Sequence, residues 1–374
     1  MSGIYLHIPF CHRKCGYCNF YSIAGVRQAD DLVQALVREL TWRKDALPDK
    51  KIETVYWGGG TPSLLGLAQL ETIINAVNRH YSLGQDPEIT LECNPDDLSP
   101  DKLHGWKNLG INRLSIGLQS FHPDDLAYLD RRHQAREALL ATEKANAAGF
   151  NHLSIDLIFG IPGQDMKRWE DNLRQAVALN VEHISAYALT VEDRTLLHRQ
   201  ITTGLKSAPD EDETASHFLL MHQLLTTAGY EHYEISNFAR PGAYARHNTS
   251  YWQGVPYLGF GPSAHSFDGK RRWWNHAHLG SYIAASNPEE MKEGEEELGQ
   301  EERYNEYVMT GLRTMWGCEM AKLESLGPMK QYQHFELQAS EYQKQGWMIR
   351  TGNTWKLTAQ GMLRADGLAA SFFI

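Results

Sequence analysis

Three cysteines near the N-terminus have a spacing that suits a metal cofactor. Cys11, Cys15 and Cys18 follow the pattern C-x3-C-x2-C directly after a short apolar segment. Three thiolates on one loop can hold a cube-shaped iron–sulfur cluster by three of its irons and leave the fourth iron without a protein ligand. Because an open iron can bind an exchangeable small molecule, the pattern predicts a reactive site rather than a purely structural one.

Two simpler interpretations of these cysteines stay open from the spacing alone. A structural zinc ion could use them together with His7 or His12. A disulfide fits less well, because the chain has five cysteines and its N-terminus lacks the features of a secretion signal. We therefore expect a reducing, cytoplasmic compartment, where clustered cysteines usually bind metal or act in catalysis. Cys93 and Cys318 are isolated, and we interpret them as packed thiols.

The composition is that of a folded protein with negative net charge. The 374 residues include 36 Lys and Arg, 46 Asp and Glu and 42% hydrophobic side chains, and the formal net charge is −10. A chain of this length can bury a large core, and one large domain plus one small domain is expected. The charge argues against nucleic acid as a partner, because phosphate binding depends chiefly on Lys and Arg. No apolar run approaches the length of a membrane span, so we expect at most peripheral membrane association.

Predicted strands and helices alternate over the first half of the chain. The predicted strands cover residues 4–8, 54–57, 88–92, 113–118, 152–158 and 183–189. The predicted helices cover residues 30–43, 67–80, 100–109, 134–148 and 167–179. Such a series of β-α units predicts an α/β fold with a parallel sheet. We expect a partial or full TIM-type (β/α) barrel, with a flat doubly wound sheet as the second choice.

Residues with useful chemistry follow the predicted strands one after another. In a barrel the C-terminal ends of the strands share one mouth, so we expect these residues to lie close together there. They are Cys11, Gly58, Gly59, Gly60, Thr61, Glu92, Asn94 and Gln119 at the ends of the first four strands, Asp156 within the fifth strand and Ala188 at the end of the sixth. The three consecutive glycines lack a Cβ and would let a ligand approach the backbone, although a tight turn would also explain them.

The cysteine loop and the glycine-rich strand end together resemble the radical S-adenosylmethionine (SAM) superfamily, in which SAM chelates the open iron. Over almost the whole chain the sequence is similar to the oxygen-independent coproporphyrinogen III dehydrogenase family, most clearly at residues 5–11, 57–62, 117–121 and 156–162. The resemblance implies a [4Fe–4S] cluster on the three cysteines. It also implies that SAM contacts Tyr5, Gly60, Thr61, Glu92, Gln119, Arg131, Asp156 and Ala188.

Two departures from the dehydrogenases point to one branch of this family. The dehydrogenases carry a further cysteine two residues after the third cluster ligand, where this chain has Phe20. Residues 247–252 read HNTSYW and match the H-N-x-x-Y-W motif of the HemW family, whose members are regarded as haem chaperones. The sequence resembles that family more closely, which implies that haem is bound. The candidate haem-binding residues are His247, Tyr251, Trp252 and His265.

The last part of the chain changes in character. We divide the sequence into a radical SAM barrel over residues 1–228, a linking segment with the H-N-x-x-Y-W motif over 229–287, and a C-terminal domain over 288–374. In the last segment, predicted helices at 303–316 and 331–345 precede a hairpin, which suggests a small, mainly α, winged-helix-like domain. Few basic residues argue against DNA binding. The family resemblance implies a cap over the barrel mouth.

Two functions from different classes follow from these expectations. In the first, the protein is a haem chaperone that binds haem near His247 and passes it to acceptor haemoproteins, for example respiratory ones, with the cluster and SAM serving dimerisation, sensing or transfer. In the second, it is an oxygen-independent coproporphyrinogen III dehydrogenase acting through a 5′-deoxyadenosyl radical. Phe20 and the motif at 247–252 favour the first function, whereas the SAM residues are compatible with both. The sequence identifies no catalytic residue.

Overall fold

The computed structural model describes residues 2–47, 49 and 51–374. The strands are β1 Ser2–Ile8, β2 Phe10–Cys11, β3 Ile23–Ala24, β4 Lys51–Gly59, β5 Ser82–Cys93, β6 Arg113–Gln119, β7 His152–Phe159, β8 His183–Ala188, β9 Glu231–Glu234, β10 Asn237–Ala239, β11 Tyr257–Phe260, β12 His265–Phe267, β13 Arg271–Asn275, β14 Lys292–Glu297, β15 Cys318–Glu319, β16 Met348–Thr351 and β17 Thr354–Leu357.

The α-helices lie mostly between these strands. They are α1 Ala29–Trp42, α2 Leu67–His80, α3 Pro100–Asn108, α4 Pro123–Tyr128, α5 Ala135–Ala147, α6 Met166–Ala178, α7 Leu196–Thr202, α8 Glu211–Thr227, α9 Arg246–Trp252, α10 Leu279–Ala284, α11 Pro288–Met291, α12 Gln300–Leu312, α13 Met320–Leu326, α14 Met329–Lys344, α15 Ala359–Met362 and α16 Ala365–Ala370. Among the described residues, no helix is both long enough and apolar enough to span a bilayer.

One twelve-stranded sheet forms the centre of the protein, in the order β14-β13-β12-β11-β1-β4-β5-β6-β7-β8-β10-β9. The seven strands from β11 to β8 run parallel to one another. The strands outside them, β12 to β14 at one end and β9 and β10 at the other, pair antiparallel. Five strands of the twelve-stranded sheet, β9 to β13, belong to residues 229–287, which we predicted to be a linking segment. This segment is therefore part of the sheet.

The two faces of the parallel strands differ in chemistry. In β1, Ile4, Leu6 and Ile8 are fully buried, and they belong to the same apolar core as the buried residues of α1. The alternate residues Tyr5 and His7 point to the other face, because successive side chains of a strand alternate between faces. The sheet therefore has an apolar outer face under the helices and a more polar inner face.

The inner face is curved around a cavity. Side chains from β1, β4, β5, β6, β7 and β8 all line the same space, which a flat sheet could not achieve. Since β14 and β9 are the two ends of the strand order, the structure is a partial barrel. This confirms the predicted α/β barrel fold and excludes the flat, doubly wound alternative.

The C-terminal domain has the element order helix, strand, helix, helix, strand, strand, from α12 to β17. Its three strands form a small sheet in the order β15-β17-β16. This is the arrangement of a winged helix, as the sequence suggested.

The same domain links the two ends of the large sheet. Helix α12 begins shortly after β14, and the residues that follow α12 pair with β9 through the bridge between Thr314 and Glu234. The backbone N–H of Met315 donates to the carbonyl of Tyr233 at 2.9 Å, and that of Ile235 donates to the carbonyl of Arg313 at 3.0 Å. The edge of β9 is therefore covered by the chain itself.

Candidate functional site

A cavity of about 810 Å³ inside the curved sheet contains most of the candidate chemistry. We call its end at the C-terminal ends of the parallel strands the mouth; it contains Cys11, Cys15, Cys18, Gly60, Thr61, Asn94, Gln119, Arg131 and Ala188. We call the end near the start of the strands the floor; it contains Arg113, His183, Asn237, His247 and Tyr251. The volume lies within the range of about 300–1,000 Å³ that is usual for small-molecule sites.

The cysteine loop lies at the mouth. Cys11, Cys15 and Cys18 are each half-buried and line the cavity. The Cys11 thiol lies 3.7 Å from Oγ1 of Thr61, and the Cys15 thiol lies 3.7 Å from Nη1 of Arg131. Burial raises the pKa of the Cys11 and Cys18 thiols, and the neighbouring Cys15 raises it further. A cation placed among these thiols would reverse that effect, because it would stabilise the thiolates.

The geometry of the cysteine loop argues against a single zinc ion and against a disulfide. All five cysteines are free, which argues against the disulfide. Within the described part of the chain, no three His, Cys, Asp or Glu side chains are close enough together to share one ion. His7 would have to exchange a hydrogen bond to become a fourth zinc ligand, because its Nδ1 lies 3.1 Å from the Tyr5 hydroxyl and its Nε2 lies 2.9 Å from the Tyr21 carbonyl. His12 is exposed and lies 3.6 Å from Asp97.

The glycines at the end of β4 let this strand pack against the cysteine loop. A Cβ on Gly60 would lie 2.7 Å from the Phe10 carbonyl oxygen and 2.8 Å from that of Ile8. The backbone N–H of Gly60 instead donates to the Ile8 carbonyl, and that of Thr61 to the Phe10 carbonyl. The close approach expected of these glycines is thus seen between two parts of the chain, and their contact with a ligand stays a prediction.

The end of β6 is irregular and lies beside two polar side chains of the mouth, Gln119 and Arg131. The pairing of β6 with β7 shifts between Gly117 and Gln119, and Gln119 has a φ of 66°, which is rare for a residue other than glycine. Arg131 lies beside it and donates from Nη2 to Oδ1 of Asn94 at 2.6 Å and to the Gly117 carbonyl at 2.8 Å. The Nε of Arg131 is buried and has no hydrogen-bond partner among residues 2–47, 49 and 51–374. One guanidinium donor is therefore left for an acidic ligand group.

Two carboxyl groups lie deeper in the cavity. Glu92 accepts a hydrogen bond from the Tyr56 hydroxyl at 2.7 Å, and Asp156 accepts one from the Ser115 hydroxyl at 3.2 Å. Burial raises the pKa of Glu92 to about 7 and that of Asp156 to about 6. Near neutral pH both groups are therefore partly protonated, and a bound ammonium group would favour their ionised forms.

Helix α9 places the H-N-x-x-Y-W motif at the floor. His247 is only 1% exposed, and both ring nitrogens are hydrogen-bonded: Nδ1 lies 2.7 Å from Oγ1 of Thr54 and Nε2 lies 2.8 Å from the Tyr251 hydroxyl. Its ring stacks on Tyr56 with the centroids 5.1 Å apart. Burial lowers the pKa of His247 to about 3, so the imidazole is neutral. The histidine is held in one orientation by partners from β4 and α9.

The structure brings most of the predicted site residues together. The three cysteines and all eight residues expected to contact SAM line the cavity, as do His247 and Tyr251. Trp252 and His265 are not among the lining residues. Trp252 is half-buried at the end of α9, and His265 is exposed on β12, where it stacks on Trp274 at 5.7 Å. Of the four haem-binding candidates, three therefore lie on α9, and His265 lies on β12.

Several polar residues that line the cavity were not predicted from the sequence. Thr90, Arg113, Ser154, His183 and Ser185 line its inner part. Thr90 and Ser154 precede Glu92 and Asp156 by two positions on the same strands, and so they share a face with them. Alternation along each strand was therefore the signal that could have identified them.

The C-terminal domain contacts the barrel away from the cavity lining. No described residue after Tyr251 lines the cavity. The contacts between the C-terminal domain and the barrel include the ring of Trp316 near that of Tyr233. They also include a hydrogen bond from Arg272 to Glu306 at 2.6 Å. The Tyr233 hydroxyl lies 2.8 Å from Nε2 of His183, at the start of β8. These contacts lie near the floor, and a cap over the mouth stays a prediction.

Comparisons with known proteins agree with this architecture. The chain matches the radical SAM superfamily over residues 5–176 and the HemN C-terminal domain over residues 298–364. It is 37% identical to heme chaperone HemW of Mycobacterium tuberculosis, over 98% of this chain and 93% of the relative. It is 33% identical to heme chaperone HemW of Bacillus subtilis, over 100% of this chain and 99% of the relative.

A solved structure has the same overall fold. Coproporphyrinogen III oxidase (HemN) from Escherichia coli, a radical SAM enzyme, superposes with a TM-score of 0.84. The match covers 100% of this chain and 90% of that chain, at 23% sequence identity. At this level of identity the likeness concerns the fold alone.

Proposed function

This chain belongs to the HemW family within the radical SAM superfamily, and from that premise we propose that it is a haem chaperone that binds haem and passes it to acceptor haemoproteins. The observation that carries the proposal is that one cavity joins the cysteine loop at the mouth to His247 and Tyr251 at the floor. The cofactor residues and the haem-binding motif are therefore in a position to influence each other.

The mouth is suited to the cofactors of the superfamily. Cys11, Cys15 and Cys18 would hold a [4Fe–4S] cluster, and such a cluster with SAM on its open iron supplies one-electron chemistry when bound. The Nε of Arg131, which no described residue pairs with, is suited to the SAM carboxylate. Glu92 and Asp156 can accept hydrogen bonds from an ammonium group or from ribose hydroxyls. The chain's own groups thus complement both ends of the SAM molecule.

The floor contains a histidine, His247, that is suited to bind haem iron. His247 is neutral because of its burial, so no proton has to leave before it binds iron. If Nε2 exchanges its bond to Tyr251 for the iron, Nδ1 keeps its bond to Thr54. A ligating histidine is commonly oriented by a hydrogen bond at its other nitrogen. Haem binding at this residue therefore needs one hydrogen bond to be exchanged.

The proposal extends to partners and location. The partners are haem and acceptor haemoproteins, including respiratory ones, and a second copy of the chain in a homodimer. We place the protein in the cytoplasm, because a cluster on three thiols needs reducing conditions. Nucleic acid is not proposed as a partner: α14, the helix that would read DNA in a winged helix, carries two Lys and two Glu and so has no basic face.

A haem titration tests the proposal. The anaerobically reconstituted full chain and its His247→Ala variant are titrated with haem while the Soret band is followed, with His265→Ala as the matched control. We expect one saturable site in the parent and in His265→Ala, and weaker binding or changed ligation in His247→Ala. An apo-haemoprotein added to the loaded parent should then gain haem.

Other results would point elsewhere. If the parent shows no saturable haem site, the chaperone function is wrong, and turnover of coproporphyrinogen becomes the activity to measure. If only His265→Ala loses the Soret change, haem is bound on the outer strand β12 rather than at the floor.

A further inference from the structure

Arg113 is a buried cation with an unused donor inside the cavity. It is the first residue of β6, it is 4% exposed, and it lines the cavity. Its Nη1 lies 3.9 Å from Oε2 of Glu88, which is too long for a hydrogen bond. Its Nη2 is buried with no hydrogen-bond partner among the described residues. A buried charge with an unsatisfied donor is costly, and in native proteins it calls for an explanation.

The arginine lies next to the backbone of the candidate haem ligand. Glu88 accepts hydrogen bonds from the backbone N–H of Arg246 at 3.0 Å and of His247 at 2.9 Å. The carboxylate that faces Arg113 therefore also fixes the first turn of α9. Thr90 is paired with Arg113 across the β5–β6 ladder and lines the same cavity, and its buried hydroxyl has no partner in the described part of the chain. Two unused donors thus lie together near His247.

The two carboxylates around Arg113 are hydrogen-bonded to other groups, so its guanidinium can still bind an anion. Glu88 is the carboxylate near its guanidinium, and it already accepts two backbone hydrogen bonds. Asp156 is farther along the cavity, bonded to Ser115, and the charge of Arg113 acts to lower its pKa. A planar guanidinium with a free N–H, next to a free hydroxyl, is suited to a carboxylate.

We propose that Arg113 binds a propionate carboxylate of the haem that His247 ligates, with the Thr90 hydroxyl as a second donor. This inference rests on the proposed chaperone function. It adds the group that orients the macrocycle: iron ligation alone leaves haem free to rotate about the axial bond, whereas a second anchor at the carboxylate edge fixes one orientation.

The test compares two ligands on two proteins. Haem and haem dimethyl ester, which lacks the propionate charges, are titrated into the anaerobically reconstituted full-length parent and its Arg113→Gln variant. We expect the parent to bind haem roughly 10- to 100-fold more tightly than the ester, which is the effect of a charged hydrogen bond. In Arg113→Gln the affinity for haem should fall to about that for the ester, and the affinity for the ester should stay the same.

Controls separate this role from a structural one. Arg132→Gln removes an exposed cation of the mouth that pairs with Asp96, and it should leave the preference for haem unchanged. Because Arg113→Gln leaves Glu88 without its neighbouring cation, Arg113→Lys serves as a second variant that keeps the charge and should keep part of the preference. The comparison of the two ligands on the parent needs no variant at all.

Three outcomes would overturn the inference. An equal loss for both ligands in Arg113→Gln would mean that Arg113 only supports the fold. A preference for haem that disappears in Arg132→Gln would place the carboxylates at the mouth. A parent that binds haem and its ester equally well would show that no cation holds a propionate. In all three cases haem still binds the parent, whereas the absence of a saturable site for either ligand would mean that the proposed function itself has failed.

Discussion

The mouth and the floor of the cavity hold their functional side chains in opposite ways. At the mouth, the thiols of Cys11 and Cys15 are half-buried, and their polar contacts are 3.7 Å long. At the floor, His247 is 1% exposed, and both ring nitrogens have partners within 2.8 Å. The mouth thus leaves its ligating atoms available, whereas the floor occupies them with its own hydrogen bonds.

This difference separates cofactor binding from stability. Removing the thiols at the mouth should abolish cluster binding and hardly change the fold, because these half-buried side chains contribute little to packing. Removing His247 at the floor should affect both, because its two ring nitrogens are part of a buried hydrogen-bond network. The following predictions test this contrast, from the largest expected effect to the smallest.

The largest effect is expected from the triple variant Cys11→Ala, Cys15→Ala, Cys18→Ala. It should lose all cluster iron after reconstitution, while its free energy of unfolding without iron changes by less than about 1 kcal/mol, since half-exposed thiols add little to the core. Iron analysis and urea unfolding of the apo-protein measure the two quantities. Cys93→Ala is the matched control, since that thiol is buried 3.6 Å from the Ser115 carbonyl. It should keep the iron and lose stability.

At the floor, His247→Ala should destabilise the protein as well as remove the candidate haem ligand. The variant leaves the Thr54 and Tyr251 hydroxyls unpaired and opens a cavity, and we expect a loss of about 2–4 kcal/mol in the free energy of unfolding. Urea unfolding in the absence of haem measures it. His265→Ala, at an exposed position, should change stability by less than about 0.5 kcal/mol. Equal stability of the two variants would contradict the contrast between mouth and floor.

Between mouth and floor, Glu92 should make stability depend on pH. Burial raises its pKa to about 7 in the folded protein, so the folded state holds the proton more tightly than the unfolded chain does. The stabilisation is complete below the unfolded pKa and is lost as the pH rises through about 7. In the absence of SAM, we expect a decrease on the order of 2–3 kcal/mol over this window.

The Glu92→Gln variant is the control for this pH effect. Its free energy of unfolding, measured with urea from about pH 5 to about pH 8, should vary less with pH than that of the parent. Asp156, with its pKa raised to about 6, should still cause part of the slope. A parent and a variant with identical pH profiles would show that Glu92 does not titrate in this window.

The smallest effect is expected from Tyr251→Phe. The variant removes the hydroxyl bonded to Nε2 of His247 but keeps the ring. Stability should fall by about 1 kcal/mol, and haem should bind up to about 5-fold more tightly, because no hydrogen bond has to be given up. Tyr257→Phe is the matched control, since its ring packs against Tyr251 with the centroids 4.6 Å apart. Weaker haem binding in Tyr251→Phe would show that the hydroxyl assists ligation.

The mouth was easier to predict from the sequence than the floor. The cysteines lie within eight residues of one another, and the glycines directly follow a strand, so local spacing carried the information. The predicted strand at 113–118 agrees closely with β6, whereas β5 begins six residues before the predicted start at 88, because Gly84 and Pro87 interrupt its pattern. Local signals thus identified the strands but not all of their ends.

The floor depends on contacts that local patterns do not reveal. Thr54 and Glu88 lie 193 and 159 residues before His247, and no spacing in the sequence connects them. The short strands β9 to β13 offer few residues in which alternation could appear. For the same reason, the position of the C-terminal domain near the floor became visible only in the structure.

The place of β1 in the sheet has a consequence for synthesis. This first strand lies between β4 and β11, and β11 begins at residue 257. A ribosome adds about 5–20 residues per second, so roughly 10–50 s pass between the appearance of β1 and that of its second neighbour. During this interval one edge of β1 can pair with β4, and the other edge stays unpaired. The segment that carries the cysteine loop is thus made first and completed late, so a nascent chain has its cluster ligands before it has a closed fold to protect them.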